Sequence, residues 1–556
     1  MTQNAQIAII GTGFSGLGMA IKLKEAGYND FVILEQSDDI GGTWHQNHYP
    51  GCACDVQSAL YSFSFEQNPN WSRMYAQQHE IKAYLKHCAE KYGLMKHIRL
   101  NTHVAGARFD ENRQRWTLET SDAPALWSYM QDKGMKPGHR LDRTDKSLPE
   151  FSTLKADILV SGMGGLSTPA YPEIKGIESF TGKRFHSQDW DHDYDLRGKR
   201  VAVIGTGATA VQLIPEIAPR VAHLDVYQRT PIWVLKKPDV RMPGWMRTVF
   251  RWSSLAQQGV RTTTDALTES LMIIAAVYYR RFPWLVQWAQ RAGVNNMREQ
   301  LPDNPELWGK LTPRYGFGCK RPTFSNNYFS TFSRSNVDLI TTPIQRITPK
   351  GIETIDGIEH EIDVLILATG YKVFEKGNLP SYEVVGRGGV DLGEFWERNR
   401  YQAYEGLTVP GYPNLYIMLG PYALIGSSYF KMVEGNAIHV ARCIQAARKR
   451  DATCVEIRQD VHDRYFRNIQ RRQQGTVFLN HNCAASNSYY FDHHGDAPML
   501  RPSTSFEMLW RAKHLPMAHY HFKKAYPAGW LSDDSRLTSN SRPFPGDDTV
   551  AEVIRR

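Results

Sequence analysis

The chain has 556 residues, 42% apolar and 22% charged, enough for two or three packed units, and it has no short-period repeat of the kind a solenoid requires. Its net charge of +9 is spread over 66 Lys and Arg against 57 Asp and Glu without a basic block, which argues against a nucleic-acid partner and leaves attraction for anionic cofactors. Seven cysteines at irregular spacing suit a reducing cytoplasm, the expected location, and the pair Cys52 and Cys54 lacks the second pair of a zinc site, so no metal is expected.

No basic stretch and apolar core of a secretory signal open the chain. Residues 5–10 form a short apolar run that enters Gly11-Thr12-Gly13-Phe14-Ser15-Gly16, followed by a helical pattern to Ala26, a stop at Gly27 and a second apolar run over 31–34. Gly11 permits the tight turn, Gly13 lets the backbone approach a pyrophosphate, and Gly16 lets the helix pack close to the sheet. Glu35, 19 residues beyond Gly16, stands where a carboxylate accepts hydrogen bonds from ribose hydroxyls.

Residues 156–160 read as a strand entering Ser161-Gly162-Met163-Gly164-Gly165, a return crossing between domains. The first arrangement then recurs. The run over 201–204 enters Gly205-Thr206-Gly207-Ala208-Thr209-Ala210, a helix continues through Ile217, and 224–227 form the next strand. That strand ends in Arg229-Thr230 without an acid, and an arginine there pairs with a 2′-phosphate, so the second site is expected to take NADPH.

Residues 238–304 have helical periodicity and many aromatics and read as an insertion. Within it, 271–279 is far shorter than the ~20 residues that span a bilayer and reads as a buried helix or tunnel wall. A second crossing runs over 363–367 into Ala368-Thr369-Gly370. The expected fold is α/β, with two dinucleotide-binding Rossmann-like domains and a helical insertion. A flavin in one site and a nicotinamide in the other could exchange electrons, although order alone does not say which is which.

Ahead of the second loop, Phe180-Thr181-Gly182-Lys183-Arg184-Phe185-His186-Ser187-Gln188-Asp189-Trp190-Asp191 fits FxGxxxHxxxW followed by Pro or Asp. Together with Gly41-Gly42-Thr43-Trp44, Tyr49-Pro50-Gly51 and Asp55, this resembles the type I Baeyer–Villiger monooxygenases, class B flavoprotein monooxygenases related to the flavin-containing monooxygenases. The likeness covers roughly residues 5–522 and carries the fingerprint at Phe180, Gly182, His186, Trp190 and Asp191.

The resemblance puts FAD in the first site, contacted by Ser15, Glu35, Thr43, Trp44, Asp55 and Tyr61, and NADPH in the second, contacted by residues 206–212, including Gln212, with Arg229 and Thr230. It divides the chain into an FAD-binding domain over 1–160 and 385–530, an NADPH-binding domain over 161–237 and 311–384, the insertion over 238–310 and a loose tail over 531–556. Lys320-Arg321-Pro322 resembles the family's Lys-Arg-Pro motif, with Arg321 catalytic, Asp55 holding it, and Lys320 on the 2′-phosphate. The implied reaction uses NADPH and O2 to convert a ketone, expected to be apolar, to an ester or lactone through a flavin C4a-peroxide. His186, in an interdomain segment, is expected to orient or hinge rather than to carry a proton.

Two stretches depart from the family pattern. Tyr371-Lys372 follows Ala368-Thr369-Gly370 where many members have an aromatic and Asp, and Ser488-Tyr489-Tyr490 stands where many have Ser-Trp, so Tyr489 takes the tryptophan's place. These departures keep N- or S-hydroxylation as the alternative activity. A disulfide reductase would need a redox CxxC, and the chain has none.

Overall fold

A computed structural model describes residues 2–135, 141, 144–375, 377–424 and 428–524. The expected tail over 531–556 lies outside the described residues. Two sheets organise the rest.

The first sheet has the order Glu383–Val385, Thr102–Asp110, Arg115–Asp122, Ser152–Ser161, Thr2–Ile10, Phe31–Leu34 and Ile98–Arg99, and Leu415–Ile417 also pairs with Ser152–Ser161. Thr2–Ile10 runs parallel to both Phe31–Leu34 and Ser152–Ser161. Central parallel strands are covered on both faces, which is why Ile7, Ala8 and Ile9 form one apolar run and are fully buried. Helix Phe14–Glu25 packs on this sheet through Leu17, Ala20, Ile21 and Leu23. The strands over 383–385 and 415–417 return to this sheet after the second one is complete.

The second sheet is wholly parallel, in the order Val337–Ile340, His223–Tyr227, Arg200–Ile204, Val364–Leu367, Lys183–His186. Helix Ala208–Ile217 follows its central strand and buries Val211, Leu213, Ile214 and Ile217. The fold is therefore two Rossmann-like units, each placing a glycine loop at the carboxyl end of its central strand.

The fingerprint is not an interdomain segment, as its position suggested, but part of the second sheet. Its middle, Lys183–His186, is the edge strand of the second sheet, with His186 opposite Leu367. A Cβ on Gly182 would lie 2.5 Å from both Asp363 O and the Phe180 ring, so only glycine lets the aromatic fold over the start of this strand.

Between the halves of the second unit stand the helices Gly244–Trp252, Ser254–Thr268, Ile274–Val277, Pro283–Gln300 and Pro305–Leu311, with a π-turn over Glu269–Ile273. Residues 271–277 are helical, but Leu271 is exposed rather than buried, so this stretch is a wall and not a core helix. Cys319 and Cys483 form a disulfide, while the other five cysteines are buried thiols. This corrects the reading of all seven as reduced: the two lie 164 residues apart and meet only because the C-terminal segment folds onto the loop before Lys320.

Candidate active site

Both glycine loops open onto one cavity of about 1680 Å³. Gly11, Gly13, Ser15, Glu35, Thr43, Trp44, Asp55 and Tyr61 line it from the first unit, and Gly205, Thr206, Gly207, Ala208, Thr209, Gln212, Arg229 and Thr230 from the second. Lys320 and Arg321 also line it. Gly16 and Ala210 lie beneath it. A Cβ on Gly16 would come within 1.9 Å of Gly11 O, and Ala210 is fully buried.

The loops have the shape a dinucleotide needs. Gly11 and Gly205 adopt φ of +95° and +120°, the left-handed region that favours glycine. A Cβ on Gly207 would meet nothing within 4 Å and one on Gly13 only Gly42 Cα at 3.9 Å, so there is open space beside both loops where the helices begin. Exposed amides at a helix start, with the positive end of its dipole, suit a pyrophosphate.

Glu35 is buried and held in place. One carboxylate oxygen accepts from Thr12 N at 2.8 Å and Thr12 Oγ1 at 2.7 Å, and the other accepts from Ser37 N at 2.9 Å. Thr12 was not singled out in sequence, because its role depends on the loop's curvature. Trp44 Nε1 donates to Tyr61 Oη at 3.0 Å, and the hydroxyls of Ser15 and Tyr429 lie 2.6 Å apart.

In the second unit, Lys320 and Arg229 face the same space, and neither has a hydrogen-bond or ion-pair partner among the described residues. Burial and the charge of Arg229 lower the Lys320 ammonium to about 8. Two cations without a counterion form a receptor for an anion such as a 2′-phosphate.

Arg321 Nε and Nη2 donate to the two carboxylate oxygens of Asp55, both at 2.6 Å. Burial alone would raise the Asp55 carboxyl, but the guanidinium charge and its hydrogen bonds hold it below the usual range. Asp55 in turn keeps Arg321 protonated. Tyr489 and Tyr490 stand beside this pair, their ring centroids 5.2 Å apart.

The two units are clasped at the cavity. Gln212 Nε2 donates to Ala53 O at 2.9 Å, and its Oε1 accepts from Tyr49 Oη at 3.0 Å. Tyr371 Oη donates to Asn47 Oδ1 at 2.6 Å. Asn487 Nδ2 donates to Thr230 Oγ1 at 2.9 Å, which brings the C-terminal segment onto the second loop. These contacts cross long stretches of sequence and have no local signature.

The fingerprint residues Phe180, Gly182, His186, Trp190 and Asp191 do not line the cavity. Trp190 packs edge-on against Phe185, Asp191 pairs with Lys183 at 2.6 Å, and His186 sits buried between Tyr171 and Tyr371. Burial lowers His186 to about 4.

Two Rossmann-like loops converging on one cavity, with an Asp–Arg pair at their junction, define a two-dinucleotide oxidoreductase. The description of an NAD(P)-binding Rossmann-like domain matches residues 9–77, and that of flavin-binding monooxygenase-like proteins matches 154–274. A Baeyer–Villiger monooxygenase of Pseudomonas aeruginosa is 39% identical, over 97% of this chain and 95% of its own. One of Streptomyces coelicolor is 34% identical, over 95% and 94%. Among solved structures, OTEMO in complex with FAD and NADP is 26% identical with a TM-score of 0.77, over 94% of this chain and all of its own. Oxidised steroid monooxygenase bound to NADP is 27% identical with the same score and coverage. The chain belongs to the Baeyer–Villiger monooxygenases and is an NADPH-dependent flavin monooxygenase.

Proposed function

We propose that this enzyme inserts an oxygen atom beside the carbonyl of an apolar ketone, giving an ester or lactone, with FAD in the first loop and NADPH in the second. The observation that carries the reading is the Asp55–Arg321 pair at the junction of the two sites. When bound, FAD reduced by NADPH would activate O2, one oxygen atom entering the product and the other leaving as water.

The chain's own residues do the rest. Glu35 would accept from the FAD ribose, and the amides after Gly13 would hold its pyrophosphate. Arg229 and Lys320 would grip the 2′-phosphate, with Thr206 and Thr209 beside the nucleotide. Arg321 stays charged at any working pH and donates hydrogen bonds to the negative charge that develops on the former carbonyl oxygen. Asp55 fixes the plane of the guanidinium by accepting at two of its nitrogens, which leaves the remaining donors for substrate. Tyr489 and Tyr490 would flank the pair on the substrate side of the cavity. N- or S-hydroxylation has no need of such a fixed cation.

The domain division given in the sequence is adopted as part of this proposal, with residues 161, 383 and 384 moved to the first unit because strands Ser152–Ser161 and Glu383–Val385 lie in the first sheet. A cytoplasmic location is kept as a proposal on five of seven cysteines remaining free thiols, the Cys319–Cys483 disulfide counting on the other side. Among the described residues, no helix is long and apolar enough to cross a membrane.

The test is mass spectrometry of products after incubation with NADPH, air and a panel of cyclic, aryl and long-chain ketones, sulphides and amines. Esters or lactones with one added oxygen are expected. A product set restricted to sulfoxides or N-oxides would overturn the ketone reading.

A further inference from the structure

We infer that the helical insertion docks this enzyme on the surface of an anionic lipid bilayer, with the mouth of the cavity turned toward the lipid. On helix Gly244–Trp252, Trp245, Val249 and Trp252 share one face by their spacing of four and three, and the two tryptophans are 68% and 87% exposed. Leu255, in the next helix, is 83% exposed. Leu267, Leu271 and Trp288 are exposed and also line the cavity, so the mouth is rimmed by apolar side chains. A surface this rich in exposed tryptophan and leucine is unusual for a protein that meets only water.

The charges select the partner. Four of the insertion's acids, Asp239, Glu299, Asp303 and Glu306, lie at its two ends, and between Arg241 and Arg298, the stretch that carries the exposed tryptophans and leucines, the acids are Asp265 and Glu269. Both turn inward: Asp265 pairs with Lys431, and Glu269 accepts from Ser505 N and Oγ, each at 2.7 Å. Arg241, Arg251, Arg280, Arg281 and Arg291 are exposed and make no ion pair among the described residues. The exposed side chains of the insertion thus combine tryptophan with uncompensated arginine, the composition of helices lying in a headgroup layer. A second copy of the same face would set arginine against arginine, whereas anionic headgroups neutralise it. Docking at the mouth would let an apolar ketone enter from lipid. That consequence rests on the proposed function, but the docking itself does not.

The experiment uses the full-length FAD-loaded enzyme and sedimentation with vesicles of phosphatidylcholine, alone or mixed with phosphatidylglycerol. Binding to the phosphatidylglycerol vesicles is expected, weakening as NaCl rises, with a blue shift of tryptophan emission. The double variant Trp252→Ser, Leu255→Ser, which leaves the cavity lining untouched, should reduce vesicle binding about ten-fold or more. Its kcat on a water-soluble ketone should be unchanged. Equal binding to both vesicle types would overturn the anionic assignment. Absence of binding to either would overturn the docking, as would a concentration-dependent dimer in sedimentation velocity that the double variant abolishes. Vesicle sedimentation, tryptophan emission and sedimentation velocity need no turnover, so failure of the docking and failure of the oxygenation reading are separable.

Discussion

Arg321 and Asp55 lie 266 residues apart and meet in a two-pronged ion pair with both N···O distances at 2.6 Å. The pair joins the second unit's Lys-Arg-Pro loop to the loop after Tyr49-Pro50-Gly51 in the first. Placing the reaction here therefore requires the two units to be assembled as they stand.

Replacing Asp55 by Asn keeps its shape and removes its charge. Ester formation should fall by about 10²-fold, the scale of losing one organised electrostatic contact, while bound flavin is retained. The Asp55 carboxyl is held low in the folded chain. Its stabilisation is therefore full above the unfolded carboxylate value of about 3.9 and is lost as pH falls through the lower folded value. Thermal unfolding should separate wild type from Asp55→Asn by a constant interval between about pH 5 and 8, with the interval closing in stronger acid.

Lys320 and Arg229 should decide between NADPH and NADH. Either alanine variant should raise the KM for NADPH by about ten- to a hundred-fold, the effect of one charged hydrogen bond, and leave NADH kinetics nearly unchanged. With its ammonium lowered to about 8 by burial and Arg229, Lys320 loses its charge as pH rises through that value, and NADPH binding should weaken on the alkaline side. Arg229→Ala removes the repelling charge and should move this limb upward. A KM profile of that variant without an upward shift would uncouple the two residues.

His186 should contribute no limb to the pH–rate profile between about 5 and 9, because burial holds it neutral down to about 4. In the unfolded chain it takes up a proton near 6.5, so its linkage destabilises the fold progressively as pH falls below about 6.5. His186→Ala should lower stability by about 1–3 kcal/mol and leave product identity intact. A change of product would instead place the ring in the chemistry.

The Cys319–Cys483 bond should appear as two protected sulfurs. Alkylation of unreduced, denatured protein should label five cysteines, and prior reduction should raise the number to seven. Cys483→Ser should cost about 2–4 kcal/mol by releasing a long loop in the unfolded chain. Seven labelled cysteines without reductant would contradict the bond.

The two Rossmann-like units were legible because a strand, a glycine turn and a helix must follow one another in sequence to hold a pyrophosphate. Glu35 and Arg229 could be found at the strand ends for the same reason. Asp55 with Arg321 was a different case, since no spacing links them and only the family resemblance suggested the pair. The fingerprint looked like a connecting segment because Lys183–His186 is a four-residue edge strand, too short for periodicity to declare. Thr12 under Glu35, Tyr371 on Asn47 and the Cys319–Cys483 bond all arise from tertiary approach. Their residue types carry no local pattern.

The most direct measurement compares wild type with Arg321→Ala under ¹⁸O2, following ester by mass spectrometry and flavin by absorbance. One ¹⁸O atom is expected in the wild-type ester. Arg321→Ala should keep its flavin and oxidise NADPH but make about 10²–10³-fold less ester. Ester formation by Arg321→Ala at the wild-type rate would contradict the role given to Arg321.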